Sequence, residues 1–508
     1  MLKSKINKLK SRICPFCEEK VGSNFVYHLK SIHGEKEFRK LIIEIKKDGL
    51  SDPEIGKIFN ITFRELEKII TQEMGINVSI VKKKKIKSFY PKKFDLEKTT
   101  VWSFKNRGNW ATHDGRYRGN WSPYIPRNII LRYTKPGDVV LDYFIGGGTT
   151  AIEAKLLGRR CIGIDINPAA VKLTKENLNF DVPLELLGRN TVYEPEIYVG
   201  DARNLENIKN ESIDLICAHP PYAGIISYSV KIEGDLSQLS IDEYFREMRK
   251  VAEESFRVLK PGKHCVILIG DSRRNKRVVP IGFNVIRIFL DAGFRLKELI
   301  IKRQHNCKTT GFWFERSLKY NFLLLAHEYL PVFLKPKKEE EIKEKKGVYC
   351  SSSKLKFSKK EIDIPETTTV WIFDEKSWFN DAISNLLLRF KIKSYIILNK
   401  EYKRFPKREL AVFPILNFED YERFNERFYK NEDILYKFDY LAFICNDIRL
   451  PDHTIFPVAV KLEEKMKTLK GFNLKEIVVI SLESNGKEYK NGDELLITHK
   501  YLLIYDRK

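Results

Sequence analysis

Between about residue 95 and residue 335, short β-type apolar runs alternate with stretches whose apolar positions recur at helical spacing. The runs are Val139 to Leu141, Cys161 to Ile164, Asp214 to Ala218, Cys265 to Ile269 and Phe322 to Ala326. Strands alternating with helices predict a parallel-rich α/β sheet with helices on both faces. Ahead of it, residues 36–80 set apolar against charged positions at helical spacing. There, Ser51 and Glu54 can cap a first helix, Asn60 and Ile61 fit a turn, and Thr62 can open a second helix over Phe63 to Ile70. A helix-turn-helix whose second helix reads a groove fits this pattern, and so does a plain helical hairpin packed on the next domain.

The pattern also marks boundaries. Lys82 to Lys85 opens a basic linker, and Lys335 to Lys346 is nearly all Lys and Glu, as a solvated linker or charged helix would be. The chain thus divides into 1–35, 36–80, a linker at 81–96, an α/β domain at 97–334, a linker at 335–360 and a C-terminal α/β domain at 361–508. That last domain echoes the first. Thr99-Thr100-Val101-Trp102-Ser103-Phe104 recurs as Thr368-Thr369-Val370-Trp371-Ile372-Phe373, and Gly293 to Glu298 recurs as Gly471 to Glu476. His327-Glu328-Tyr329-Leu330 recurs as His499-Lys500-Tyr501-Leu502, in the same order, while the offset falls from 269 to 178 to 172 residues. The expectation is a degenerate copy shortened in its middle, making the chain a monomer with an internal pseudo-dimer; an unrelated α/β domain is the competing reading.

Charge and composition narrow the function. With 508 residues, 91 Lys+Arg, 68 Asp+Glu and a net charge of +23, the protein should meet a polyanion, nucleic acid first. A hydrophobic fraction of 43% with 23 Tyr and 32 Phe supports folded cores. The longest apolar runs are far below the roughly 20 residues of a membrane span. The basic start, Met1 to Lys5, precedes charge and not an apolar segment, so a cytoplasmic protein without a signal peptide is expected. Only Cys14 and Cys17 of the eight cysteines lie close together. With His28 and His33 they form Cys14-x2-Cys17-x10-His28-x4-His33, whose two thiolates and two imidazoles suit a tetrahedral structural Zn2+. The ten-residue gap is shorter than the usual twelve or so.

The most informative line is Val139-Val140-Leu141-Asp142-Tyr143-Phe144-Ile145-Gly146-Gly147-Gly148-Thr149-Thr150, a strand running through a glycine loop into a helix. Such a loop lets backbone approach a nucleoside cofactor closely. Ile162-Gly163-Ile164-Asp165 ends the next strand with a carboxylate placed to accept ribose hydroxyls, and Gly200-Asp201-Ala202 ends a third. The fourth delivers His219-Pro220-Pro221-Tyr222. Successive prolines cannot continue a ladder, so their carbonyls are free to accept from an amine, and Tyr222 offers a face for a base taken out of a duplex. Attack on carbon 5 of cytosine would need a thiolate after a proline; Cys217 precedes the prolines, and that chemistry is set aside.

Residues 97–334 resemble the S-adenosylmethionine-dependent DNA amino-methyltransferases, which modify N6 of adenine or N4 of cytosine. Asp142, Phe144, Gly146, Gly148, Thr149 and Thr150 look like that family's methionine-binding loop, Asp165 like its ribose carboxylate and Asp201 like its adenine contact. Gly119-Asn120-Trp121-Ser122-Pro123 sits where the family closes a segment over the cofactor, and His219 to Tyr222 look like the catalytic motif. The resemblance implies a Rossmann-like methyltransferase sheet, S-adenosyl-L-methionine as cofactor, DNA as substrate and a restriction endonuclease as partner. RNA is the alternative substrate. The family's catalytic motif opens with Asp, Asn or Ser, and this chain has His219; lacking a carboxylate there, it leans to cytosine N4.

Overall fold

Along the chain run β1 (Val101–Ser103), β2 (Val139–Asp142), β3 (Arg160–Asp165), β4 (Glu196–Val199), β5 (Ile213–Ala218), β6 (Leu259–Ile267), β7 (Ile269–Gly270), β8 (Ser272–Arg274), β9 (Arg277–Val279), β10 (Arg295–Arg303) and β11 (His327–Leu334). Nine of them form one sheet in the order β4-β3-β2-β5-β6-β11-β10-β1, with β7 also on β11, while β8 and β9 make a separate hairpin. Pairs from β4 to β6 are parallel; β11 is antiparallel to both its neighbours. This is the Rossmann-like methyltransferase sheet the sequence leads one to expect. The structure is a computed structural model and describes residues 9–507 except 10, 23, 48–49, 51, 63–64, 67–68, 71–72, 74–85, 87, 116, 118, 184–190, 224–231, 306–309, 338–361, 363–364, 399–407, 430–431 and 484–493. Lys82 to Lys85, Ser51, Phe63 and most of the charged linker lie outside the described residues.

Every residue of β5 is buried, which is why its sequence is continuously apolar. Helices cover both faces. Ile216 and Ala218 pack with Met248 and Val251 of helix Ile241–Val258, whereas Leu215 and Cys217 pack with Ile129 of helix Tyr124–Tyr133 and Ile152 of helix Thr149–Leu156. Two details differ from expectation. The last strand begins at His327, because Leu324 is drawn into a bridge with Thr368 and Phe322 to Ala326 form its approach. Lys335, expected in the linker, is buried with its ammonium on the carbonyls of Phe256 and Leu259.

The C-terminal unit carries β12 (Val370–Asp374), β13 (Tyr395–Ile397), β14 (Leu410–Ile415), β15 (Tyr440–Cys445), β16 (Ile448–Arg449), β17 (Ile455–Phe456), β18 (Phe472–Glu483) and β19 (His499–Arg507). Its sheet order, β13-β14-β15-β19-β18-β12, repeats β2-β5-β6-β11-β10-β1 pair by pair in direction. Among the described residues, β3 and β4 have no counterpart. Local details coincide as well. The β10–β11 and β18–β19 ladders each slip at one place, Leu296/Glu298 and Leu474/Glu476. Trp102 Nε1 donates to the Thr99 carbonyl and Trp371 Nε1 to the Thr368 carbonyl, both at 2.9 Å. The amide oxygens of Asn128 and Asn385 accept from Glu97 N and Glu366 N at 2.8 and 3.0 Å.

The two units meet through reciprocal contacts. Thr100 Oγ1 pairs with His499 Nδ1 at 2.7 Å, and Thr369 Oγ1 with His327 Nδ1 at 2.9 Å. Each imidazole continues through its other nitrogen to a tyrosine hydroxyl, Tyr501 or Tyr329, and on to Asp447 or Asp271. Arg273 NH2 reaches Glu476 at 2.6 Å while Arg449 NH2 reaches Glu298 at 2.7 Å. A contact in which residue i of one unit meets j of the other, and the equivalent of j meets the equivalent of i, is the signature of a two-fold interface.

At the N-terminus, Cys14, Phe25 and Leu29 share one core with Phe38, Ile42, Ile55, Phe59 and Leu66, so the Cys/His segment and the helices after it pack as one body. Helix Asp52–Phe59 ends at Asn60 in the left-handed region (φ 49), and Thr62 opens the next turn with a Thr62/Glu65 capping box. Among the described residues no helix is long and apolar enough to cross a membrane.

Candidate active site

The cleft lies outside the carboxyl ends of β2 to β5, at the point where the strand order reverses about β2, the usual ligand position in such sheets. It holds ≈ 790 Å³ of open space, and its walls include Phe144, Gly146, Asp165, Asp201, His219 and Pro221. Asp235 and Trp121 line it too.

The glycine loop is shaped by steric need. Gly146 and Gly148 have φ of 52° and 84°, and a Cβ on Gly146 would come to 2.9 Å from the Tyr117 ring. Asp142 stiffens the loop from within: its carboxylate accepts Phe144 N at 3.0 Å and Thr150 Oγ1 at 2.6 Å. Burial pushes the Asp142 carboxyl up to about 7. Thr149 Oγ1 donates to Asn120 Oδ1 at 2.5 Å, and Ser122 Oγ to the Arg107 carbonyl, so Thr149, Thr150 and Ser122 hold loops in place while Pro123 leads into helix Tyr124–Tyr133. Arg118, just ahead of Gly119, lies outside the described residues. Behind that segment the buried Glu153 accepts from Trp110 Nε1 (2.6 Å), His113 Nε2 (2.7 Å) and Arg127 NH1 (2.8 Å), which fastens these three residues to helix Thr149–Leu156.

Asp165 accepts Gly146 N and Asn167 N, each at 2.9 Å, so each oxygen retains a lone pair, and the residue lines the cleft. Burial pushes its carboxyl up to about 6. Asp201 is gripped by Arg203, whose Nε donates to Oδ1 at 2.9 Å and NH2 to Oδ2 at 2.6 Å; Arg203 is held in turn by Glu247.

At the end of β5, Trp121 stacks on the His219 ring, centroids 5.7 Å apart and 25° between planes. His219 Nε2 lies 3.0 Å from the Tyr222 hydroxyl, and that hydroxyl donates to Glu328 Oε1 at 2.7 Å. Lys302 Nζ sits 2.8 Å from Glu328 Oε2. Burial pushes His219 down to about 4, with Glu328 opposing. Burial would raise Glu328, but Lys302 and His219 outweigh it and hold the carboxyl at about 2. Pro220 is buried and Pro221 half-buried. Burial also raises the Cys217 thiol well above its ordinary value, the opposite of an activated nucleophile. Sequence reasoning missed Glu328, Lys302 and Asp235. One signal was present: in the echo of His327-Glu328-Tyr329-Leu330, the position of Glu328 changes charge to Lys500.

The Cys/His cluster is separate from the cleft. Cys14 and Cys17 flank the turn of a small hairpin closed by the Ile13–Lys20 bridge, and His28 and His33 stand on helix Phe25–His33. Cys14 Sγ lies 3.3 Å from His33 Nε2, Cys17 Sγ 3.3 Å from His28 Nε2, and all four donor atoms fall within 4.8 Å of one another. Tetrahedral bonds of about 2.0–2.3 Å separate ligands by roughly 3.3–3.8 Å; the two 3.3 Å pairs match that spacing, and the cluster is compatible with zinc.

The DNA methylase family matches residues 12–176 and 213–432, more than half of the chain, and a general methyltransferase domain matches 134–279. Among curated relatives, a Type II methyltransferase of Lactococcus lactis subsp. cremoris is 43% identical over 75 residues, 15% of this chain and 27% of that protein. A tRNA (guanine(10)-N2)-dimethyltransferase of Methanothermobacter thermautotrophicus is 36% identical over 107 residues, 21% of this chain and 29% of that protein. The chain thus spans little more than a quarter of the length of these relatives. Among solved structures, a SAM-dependent methyltransferase from Methanosarcina mazei, 17% identical, covers 41% of this chain and 97% of its own, with a TM-score of 0.29.

Proposed function

The chain belongs to the DNA methylase family, and on that premise we propose that it transfers a methyl group from S-adenosylmethionine to an exocyclic amine of a DNA base. The observation that carries this reading is the single cleft in which the glycine loop, Asp165, Asp201 and His219 converge. When bound, the cofactor supplies an electrophilic methyl. Gly146 and its neighbours leave room for its methionine end, Asp165 accepts from the ribose and Asp201 meets the adenine. Phe144 borders the ring site, and Ser122, Pro123, Gly148, Thr149 and Thr150 hold the surrounding loops. The Pro220 carbonyl and His219 hold the amine of an extruded base, with the base against Tyr222. Cytosine N4 is favoured over adenine N6 because no carboxylate stands at position 219.

The basic N-terminal body, with zinc held by Cys14, Cys17, His28 and His33, grips DNA outside the cleft, and a restriction endonuclease is the partner on this reading. The C-terminal unit is a degenerate copy serving as a built-in second subunit; the reciprocal contacts of Thr100, Thr369, Arg273 and Arg449 support that reading. A second substrate, RNA, is favoured by one observation, the tRNA-modifying relative. Incubation with labelled S-adenosylmethionine and either unmethylated duplex DNA or tRNA, followed by nucleoside analysis, decides between them. Label in N4-methylcytosine or N6-methyladenine is expected. Label in RNA alone would overturn the DNA reading.

A further inference from the structure

Glu328 stands on β11, next in sequence to an interface residue and outside the motifs that announce the cleft. It is buried, and its two oxygens are committed to different partners: Oε1 to the Tyr222 hydroxyl at 2.7 Å, Oε2 to Lys302 Nζ at 2.8 Å. Tyr222 reaches it because Gly270, the residue opposite Glu328 in the ladder, has no side chain; a Cβ there would come to 2.9 Å from the Tyr222 ring. The space has been left for this contact.

Donor and acceptor rules fix the rest of the chain. An ionised carboxylate can only accept, so the single proton of the Tyr222 hydroxyl points at Glu328. The tyrosine oxygen is then left to accept, and its partner at 3.0 Å is His219 Nε2, which must carry its hydrogen. A neutral imidazole with its hydrogen on Nε2 has its lone pair on Nδ1. The order Glu328, Tyr222, His219 does for this ring what a buried carboxylate does for a catalytic histidine: it selects a tautomer and supports the protonated ring.

We propose that Glu328 is a positioning residue that acts through Tyr222 to hold His219 as the Nε2–H tautomer, with Nδ1 presented to the amine of the substrate base. This rests on the methyltransfer reading above and deepens it. As the amine nitrogen forms its bond to the methyl carbon, the carbon–sulfur bond breaks, sulfur keeps that electron pair, and the nitrogen sheds a proton. Nδ1 of His219 takes that proton, and the imidazolium, held by Tyr222 and Glu328, later releases it to water. Among the described residues, the groups facing His219 include Tyr222 on its own loop, Glu328 on β11, Lys302 on β10 behind it, the Trp121 ring and the Gly119 carbonyl; Asp142 lines the same cleft.

The test is histidine 15N NMR on the full-length protein labelled in its histidines, without substrate, His219 being assigned by its loss in His219→Ala. The expected spectrum shows His219 with its hydrogen on Nε2. In Glu328→Gln the amide can donate as well as accept, and the preference should be lost or reversed; Tyr222→Phe should lose it too. Alongside, Glu328→Gln should lower kcat by about 100-fold or more with cofactor affinity unchanged. An Nδ1–H tautomer in the parent protein, as would follow if the ring donated instead to the Gly119 backbone, overturns the proposal. So does a tautomer that neither variant moves. The NMR result holds whichever nucleic acid is methylated, so its failure and a failure of the substrate assignment are told apart.

Discussion

At the end of β5 the chain carries His219, Pro220, Pro221 and Tyr222; at the end of the equivalent β14 it carries Leu416, Asn417, Phe418 and Glu419. The same division runs through both units. Where β2 opens into a glycine loop, β13 leads to Leu398 and a stretch up to Leu410 without glycine. Glu328 becomes Lys500. What the two units keep in common is of another kind: the buried tryptophan hydrogen bond, the Asn128 and Asn385 braces, the bulge before each interface glutamate, and the His-Tyr-Asp chains. Framework residues are buried, and losing one exposes an unpaired partner to desolvation. Strand-end residues contribute little to folding and can be lost without unfolding the sheet. On the proposed reading, the frame outlasts the chemistry.

The comparison can be broken first at its charges. Arg273→Ala leaves the buried Glu476 without its guanidinium, and Arg449→Ala does the same to Glu298. Each should cost about 3 kcal/mol or more in urea unfolding, and similar losses from both sides are expected of a two-fold arrangement. A large loss from one and none from the other would break the equivalence. Next in size is the strand-end contrast. His219→Ala should slow methyl transfer at least about 100-fold, roughly 2.7 kcal/mol, whereas Leu416→Ala should leave the rate within about twofold and show only as lost packing.

Acid should act on the cleft of the first unit. Asp165 is raised to about 6 by burial, and on the proposed reading its protonation removes the charge that strengthens its hold on the ribose hydroxyls. Cofactor affinity should therefore fall about tenfold as pH drops from 7 to 5, measured by calorimetry, and Asp165→Asn should flatten the profile. The smallest effect concerns the hydroxyls: Thr100→Val and Thr369→Val should each cost about 1 kcal/mol of stability, with Thr369→Val felt also near Glu328 through His327.

Much of this was legible beforehand where local chemistry is severe. Gly146 and Gly148, Asp165, and the two prolines at 220 and 221 declare a loop, a strand end and a broken ladder by residue type, and the structure brings Gly146, Asp165 and Pro221 to one cleft. The Cys14, Cys17, His28 and His33 donors announce themselves by spacing. The echoes around Trp102 and Trp371 were visible because framework positions retain their side chains. Glu328 was not legible, since its contact with Tyr222 depends on β11 lying beside the His219–Tyr222 loop, a neighbourhood that no local pattern encodes. The start of β11 was misplaced for a similar reason: Leu324 is held by Thr368 from the other unit.

The central claim is that one unit carries the chemistry and the other only its frame, and calorimetric titration of the full-length protein with S-adenosylmethionine tests it most directly. The account predicts one cofactor bound per chain, with binding lost in Asp165→Ala. Two cofactors per chain, or one whose binding survives Asp165→Ala, would contradict it.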